Sequence, residues 1–396
     1  TELFHSSHQF VDQKKLSAML EKFVITPTAD DLKQIPANNV YDWKETVNSS
    51  FYKELRELCN PIFALHGTKI NFYRSCEILV MFLVMVWQYI HFMKGHWYTL
   101  FTFPTALWVF AVNCAHDASH FAISKSPWIN DFFMEFMNFN VSTFYWYHQH
   151  IIGHHNFPNI CNKDPDIHTA KILRHHKDDV LRPAHRYQHY YFPFLYVIRF
   201  PVAYVLQTIR LVLAKDFLGL MPLIPTTNAY KFHLSLRVFL ILVFMYVLPF
   251  VYHGFTLKGV LFSLIPFAVF SVHSMLCTAF NHQHPLNDEQ FNPNFYIHQI
   301  VTGHCIDSSD FNYWIYLYTG GLSYQLEHHL FPTVNHAHLW RIRPIVQALC
   351  KKYDIQYNMS PGLGVAFVGM WQHMQKMSSL TGDKAVIQTP KEKSNQ

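Results

Sequence analysis

Two long uncharged stretches run directly into histidines, and that arrangement limits what this chain can fold into more than any other feature. Residues 97–115 carry no charge and lead straight into HDASH, with His116 and His120 four apart. Residues 259–280 are uncharged, with a lone His273, and lead into Asn281-His282-Gln283-His284. Each stretch follows another apolar run, 77–93 before Lys94-Gly95-His96 and 238–252 before a turn at 253–258. Crossing a bilayer takes about 20 apolar residues in a helix, and a single polypeptide satisfies its backbone in lipid only as helices or a closed barrel. Half of the 396 residues are hydrophobic and only 14% are charged, against about 25% in a typical soluble domain. The expectation is an all-α integral membrane protein with four transmembrane helices in two hairpins. Each hairpin brings the chain back and delivers histidines to one face.

The basic residues orient it. Lys53, Arg56, Lys69 and Arg74 precede the first hairpin and Lys215, Lys231 and Arg237 the second, whereas the turns hold only Lys94 and Lys258. Lysine and arginine gather on the cytosolic side of membrane helices, so both termini and all histidine clusters are expected there. Seven cysteines without a CxxC pair or disulfide-like spacing suit a reducing compartment. The net charge of +5 comes from scattered residues and gives no nucleic-acid footprint. Residues 121–233 hold no clean span: 132–147 is broken by Glu135 and asparagines, and 190–213 carries two prolines and two arginines. Both suit helices lying in the membrane interface. Residues 1–30 read as a helical fragment too short for its own core. Residues 337–353 read as an amphipathic helix that Pro344 starts or kinks, and 381–396 as a disordered tail.

The densest cluster is WYHQHIIGHHNFPN at 146–159, with His148, His150, His154 and His155 within eight residues. Each imidazole has two nitrogens to satisfy, and ordinary folding does not call for four of them together. On a helix, positions four apart share a face and adjacent positions point about 100° apart. His116 with His120, and His150 with His154, therefore suit one metal each, and the adjacent His155 suits a second. His148, off that face, is expected to be structural or to support the ligands. A third cluster is QLEHH at 325–329. His328 and His329 are ligand candidates; Gln325 suits orienting a ligand or a bound water, and Glu327 suits accepting a ring N–H. After the fourth span His282 is preferred as a ligand, with His284 and His304 as competitors. The plainer readings are a polar helix end for HDASH, a pH-sensitive surface cluster for 148–155, and a capped loop for Asp164-Pro165-Asp166. A single zinc needs four ligands; seven or more histidines suggest two metals. Imidazole-rich sites suit iron, copper or zinc, and a membrane substrate that needs a strong oxidant favours iron.

At these residues the chain resembles the membrane fatty-acid desaturases. HDASH is similar to their first histidine box, QHIIGHHNFPN followed by DPDI to the second, and GGLSYQLEHHLFP to the third, in the form of the front-end group, where glutamine replaces the leading histidine. The resemblance covers roughly residues 40–360. It implies two iron ions held by His116, His120, His150, His154, His155, His328, His329 and the additional His282, with Gln325 in the leading place of the third box. It implies O2 as co-substrate and a cis double bond inserted between an existing double bond and the carboxyl end of a polyunsaturated acyl chain, carried on CoA or phospholipid. It also implies an endoplasmic reticulum setting and electrons from cytochrome b5 and its NADH reductase. Residues 1–30 resemble the end of a fused cytochrome b5-like domain whose haem-binding HPGG is absent, which leaves 31–380 as the desaturase domain. Sphingolipid desaturases and lipid hydroxylases use similar boxes, and a metal-binding membrane protein without activity remains the reading from another class.

Overall fold

The computed structural model describes Glu21 and residues 40–136, 141–168, 172–214, 216–287, 291–306 and 312–379, and for 200–212 the backbone alone. Apart from Glu21, the 1–30 fragment lies outside the described residues, as does the 381–396 tail. The fold is mostly helical. In chain order the helices used below are α1 (Trp43–Asn48), α2 (Ser50–His66), α3 (Phe72–Met93), α4 (Thr99–Ser119), α5 (Pro127–Met134) and α6 (Thr143–Trp146), which continues as a π-helix over Tyr147–His154. Then come α7 (Gln188–Leu213), α8 (Asn228–Leu242, prolonged through a π turn to Tyr252), α9 (Leu257–His282), α10 (Phe295–Val301), α11 (Tyr313–Thr319), α12 (Gln325–Leu330), α13 (Leu339–Lys352) and α14 (Leu363–Met377). Two tiny strand pairs depart from the all-α expectation. Asp216–Phe217 pairs antiparallel with Met221–Pro222, and Cys305–Ile306 pairs parallel with Met359–Ser360.

Among the described residues three helices are long and apolar enough to cross a membrane: α3, the prolonged α8, and α9. The fourth expected span, at 97–115, is not among them. The helix at 97–115 forms as α4, but Pro104, Asn113, His116 and Asp117 dilute its apolar character, the last three because its end carries the site. The other spans are longer than the uncharged runs suggested. Asn71 caps α3 by accepting from Arg74 N, and Arg74, only 1% exposed, is carried inside by pairing with Glu77 and Asn113. Thr227 caps α8 ten residues ahead of its uncharged stretch. Outward-facing Leu79, Val80, Leu83, Val84 and Trp87 give α3 an exposed apolar band, which a lipid environment covers. The 132–147 stretch is not one helix: it is split between α5 and α6. Pro344 lies inside α13, which begins five residues earlier at Leu339.

A core at the end away from the α3–α4 turn locks the third cluster in place. Leu55 of α2, Ile300 of α10, Leu326 and Leu330 of α12, and Ile342 and Val346 of α13 are fully buried in one hydrophobic cluster. Each such side chain contributes about 1.5–3 kcal/mol. Leu326 and Leu330 are four apart on α12, so their burial turns His328 and His329 the other way. The chain reaches α12 through Gly320 and Gly321, both at positive φ (63° and 84°). A Cβ on Gly320 would stand 2.6 Å from the Val112 carbonyl oxygen, and one on Gly321 2.5 Å from His336 Cβ. Only glycine allows both the left-handed turn and this approach.

Candidate metal centre

Four elements deliver histidines to one buried volume. The last turn and C-cap of α4 supply His116 and His120. The π-helix supplies His150 and His154, with His155 as its C-cap. α12 supplies His328 and His329, and α9 ends on His282. All eight are buried. They fall into two groups. In the first, ligand atoms of His116, His120, His150 and His328 lie within 4.8 Å of one another; in the second, those of His154, His282 and His329 do. His155 joins the first: its Nε2 stands 3.1 Å from His150 Nε2 and 3.2 Å from His328 Nε2. His116 Nε2 is 3.0 Å from His150 Nε2, and His154 Nε2 is 3.0 Å from His282 Nε2.

These contacts test the fit of a metal. With metal–nitrogen bonds of about 2.1 Å, two ligands at right angles lie about 3.0 Å apart, which matches these nitrogen–nitrogen separations. In the first group the Nε2 atoms of His116, His150, His155 and His328 form a continuous run. Ring N–H bonds alone leave donors or acceptors unmatched there, because Nδ1 of His116, His155 and His328 and Nε2 of His120 are buried with no partner. Crowded Nε2 atoms, and the partnerless Nε2 of His120, are costly when buried; a cation that takes those lone pairs relieves them. Two metals fit, one per group.

The second group has its outer contacts built. His154 Nδ1 lies 3.2 Å from both oxygens of Asp164, and His329 Nδ1 lies 2.7 Å from Gln299 Oε1. Each partner leaves Nε2 turned inward, the arrangement that orients metal-bound histidines. Asp164 also accepts from Asn159 N and Asp166 N, so Asp164-Pro165-Asp166 is both a capped loop and a support for His154. Gln325 Oε1 accepts from Asn281 Nδ2, which also donates to the Leu322 carbonyl. Its NH2 is thereby aimed at the second group, 2.8 Å from His282 Nε2.

Burial holds His150, His155, His328 and His329 well below the ordinary imidazole range, with neighbouring histidines adding to the effect. They are neutral at pH 7, as ligation requires. Burial acts the same way on His154, but Asp164 and Asp166 outweigh it and push it up to about 9. A pH dependence follows for the metal-stripped protein. Below about 6.5 the unfolded chain protonates the four depressed histidines and the folded chain does not, so stability rises with pH there. His154 is charged in both states below that value and adds no slope. Chemical denaturation of metal-stripped protein should show stability falling as pH drops from 7 to 5.

Two expectations need correcting. The four-residue spacing of His150 and His154 does bring their ligand atoms together, in a close group with Asp166, but each ring also joins a different histidine group. The segment is π-helical, so His155 N bonds His150 O five residues back and His155 joins His150, while His154 turns to the other group. Such π-helical turns are frequent at functional sites. Glu327 accepts no ring N–H: its oxygens face Tyr357 OH at 2.7 Å and Cys305 Sγ at 3.7 Å, on the opposite side of α12 from His328 and His329. His148 is structural, its Nδ1 on the Phe144 carbonyl and its Nε2 accepting from Ile224 N. His282 is brought in; His284 instead stacks on His304 at 3.8 Å, and His304 contacts Ser360. Gln299 left no signal in the sequence, being a lone glutamine 30 residues from its histidine. Asp117 and His336 flank two of the boxes, and with His116 they form a further close group.

Both groups border one cavity. Trp108, Ala111 and Val112 of α4 and Phe270, Ser274 and Thr278 of α9 line it, together with His116, His150, His154 and His282. Trp108 and Phe270 meet edge-on at 5.9 Å. An apolar cavity that ends on two histidine groups suits a hydrocarbon chain presented to metal.

The fatty acid desaturase family profile matches residues 94–361, which takes in all three boxes and the cavity. Among curated relatives, the probable Delta(5) fatty acid desaturase C of Dictyostelium discoideum is 28% identical across 93% of this chain and 82% of its own length. The acyl-lipid (8-3)-desaturase of Physcomitrium patens is 28% identical across 95% and 81%. The sn-1 linoleoyl-lipid 6-desaturase of Synechocystis is 26% identical across 84% and 97%. No solved structure matches the chain. With its boxes folded into one buried centre beside an apolar cavity, and with the profile matched over most of its length, this chain belongs to the fatty acid desaturases and is an oxidoreductase acting on acyl lipid.

Proposed function

We propose that the chain is a front-end acyl desaturase with two irons. It inserts a cis double bond between an existing double bond and the carboxyl end of a polyunsaturated acyl chain. The observation that carries this is the pair of buried histidine groups side by side on one apolar cavity. His116, His120, His150, His155 and His328 would hold one iron, and His154, His282 and His329 the other. Bound iron supplies the redox chemistry with O2 that removing hydrogen from an unactivated methylene requires. Two hydrogens leave the chain, and with two electrons and two protons they reduce O2 to two waters. The protein's part is to seat the acyl chain between α4 and α9, to orient the imidazoles, and to hold the Gln325 NH2 beside His282 in the second group. The relatives named as 6-desaturase and (8-3)-desaturase support a front-end position.

The same reading takes α3, α4, α8 and α9 as four spans in two hairpins. Both termini and the boxes lie on the cytosolic face of the endoplasmic reticulum, and α7 lies in the interface. Electrons arrive from cytochrome b5 and its NADH reductase, and the acyl group is carried on CoA or phospholipid. The test is metal replacement in full-length protein held in a bilayer with reduced cytochrome b5. Chelation should abolish desaturation and iron(II) should restore it. Recovery with zinc, or activity unaffected by chelation, would contradict the redox-iron assignment.

A further inference from the structure

Asp117 and His336 stand against the first histidine group without belonging to it. His336 is fully buried, its Nδ1 lies against an oxygen of Asp117 as a close ion-pair contact, and neither ring nitrogen has a hydrogen-bond partner of normal geometry. The other Asp117 oxygen accepts from Asn335 Nδ2 at 2.7 Å, so the carboxylate is held from two sides. The buried Arg74 guanidinium acts on that carboxylate electrostatically. The His336 ring stacks on His116 at 5.3 Å and tilts against His328 at 4.9 Å. The His336 seat is shaped by the backbone, since a side chain on Gly321 would strike it.

The two groups differ in how their outer nitrogens are held. In the second, Asp164 and Gln299 take the Nδ1 atoms of His154 and His329. In the first, His116 Nδ1 and His328 Nδ1 have no such partner; His336 packs against both rings and Asp117 lies beside His116. His336 lies outside the four-histidine group and forms a separate close group with His116 and Asp117.

Resting on the two-iron reading, we propose that Asp117 and His336 form a carboxylate–imidazole pair that positions His116 and His328 for the first iron, as Asp164 positions His154 for the second. The Asp117 carboxylate, set against His336 Nδ1, holds the ring against both histidines. Both are positioning residues.

The test uses full-length protein in a bilayer, loaded with 57Fe(II), read by iron titration and Mössbauer spectroscopy. Variants are Asp117→Asn and His336→Gln, with Asp164→Asn as the mirror case. Removing an outer partner of a metal ligand costs about 10–100-fold in metal affinity. Asp117→Asn and His336→Gln should each weaken one iron by about that factor and shift its signal, leaving the other as in wild type; Asp164→Asn should shift the complementary signal. Two wild-type signals in both variants, or equal loss of both irons in both, overturns the positioning role. Wild-type protein that takes up no iron overturns the two-iron reading and this inference with it.

Discussion

Replacing His154 with alanine should abolish desaturation and remove one iron of two while leaving the helices in place. His154 stands with His282 and His329 in the second group, and its loss leaves that group two imidazoles, too few to hold a catalytic ion in a fixed geometry. The expected fall in activity exceeds the roughly 10–100-fold attached to outer partners, because a ligand itself is gone. Asp164 loses the ring it faces, a penalty of about 1–3 kcal/mol for a buried acceptor left short. That cost is modest beside the hydrophobic core around α12 and α13, which His154 does not touch. Iron analysis with circular dichroism checks the prediction. One retained iron, native helicity and no product are expected; wild-type activity would remove His154 from the metal-binding set.

Thr278→Phe should separate the cavity from the metals. Thr278 lines the cavity one turn before His282, and its hydroxyl bonds only to carbonyls of its own helix, Ser274 O and Met275 O. A phenyl ring there competes with the acyl chain for the same space. Overpacking of this kind costs about 1–3 kcal/mol, or about 5- to 150-fold in binding. Product formation should fall by about tenfold or more with both irons retained. Unchanged turnover would mean the acyl chain takes another route.

The sequence made the boxes, the helix ends that bear them and the apolar spans legible, because each depends on local spacing. His116 and His120 follow from helical periodicity, and His328 and His329 from adjacency. The partition of His150, His154 and His155 was not legible, since a π-helix leaves no periodicity distinct from an α-helix over eight residues. Glu327 was misassigned for a related reason: its direction is set by the burial of Leu326 and Leu330, a tertiary matter. Gln299 and His336 meet their partners across separations of 30 and more than 200 residues, and nothing local marks them; Asp117 lies inside the first box, but its pairing with His336 is tertiary. Composition counts α4 as a span and the described helix falls short, because its last turns serve the site.

The most direct test of the whole account is product analysis. The chain is expressed in a host that lacks the activity, polyunsaturated C18 and C20 acids are fed singly, and double-bond positions are read by mass spectrometry. The account predicts a new cis double bond on the carboxyl side of one already present. A bond on the methyl side, a hydroxylated product, or no new product from iron-loaded protein supplied with reductant would contradict it.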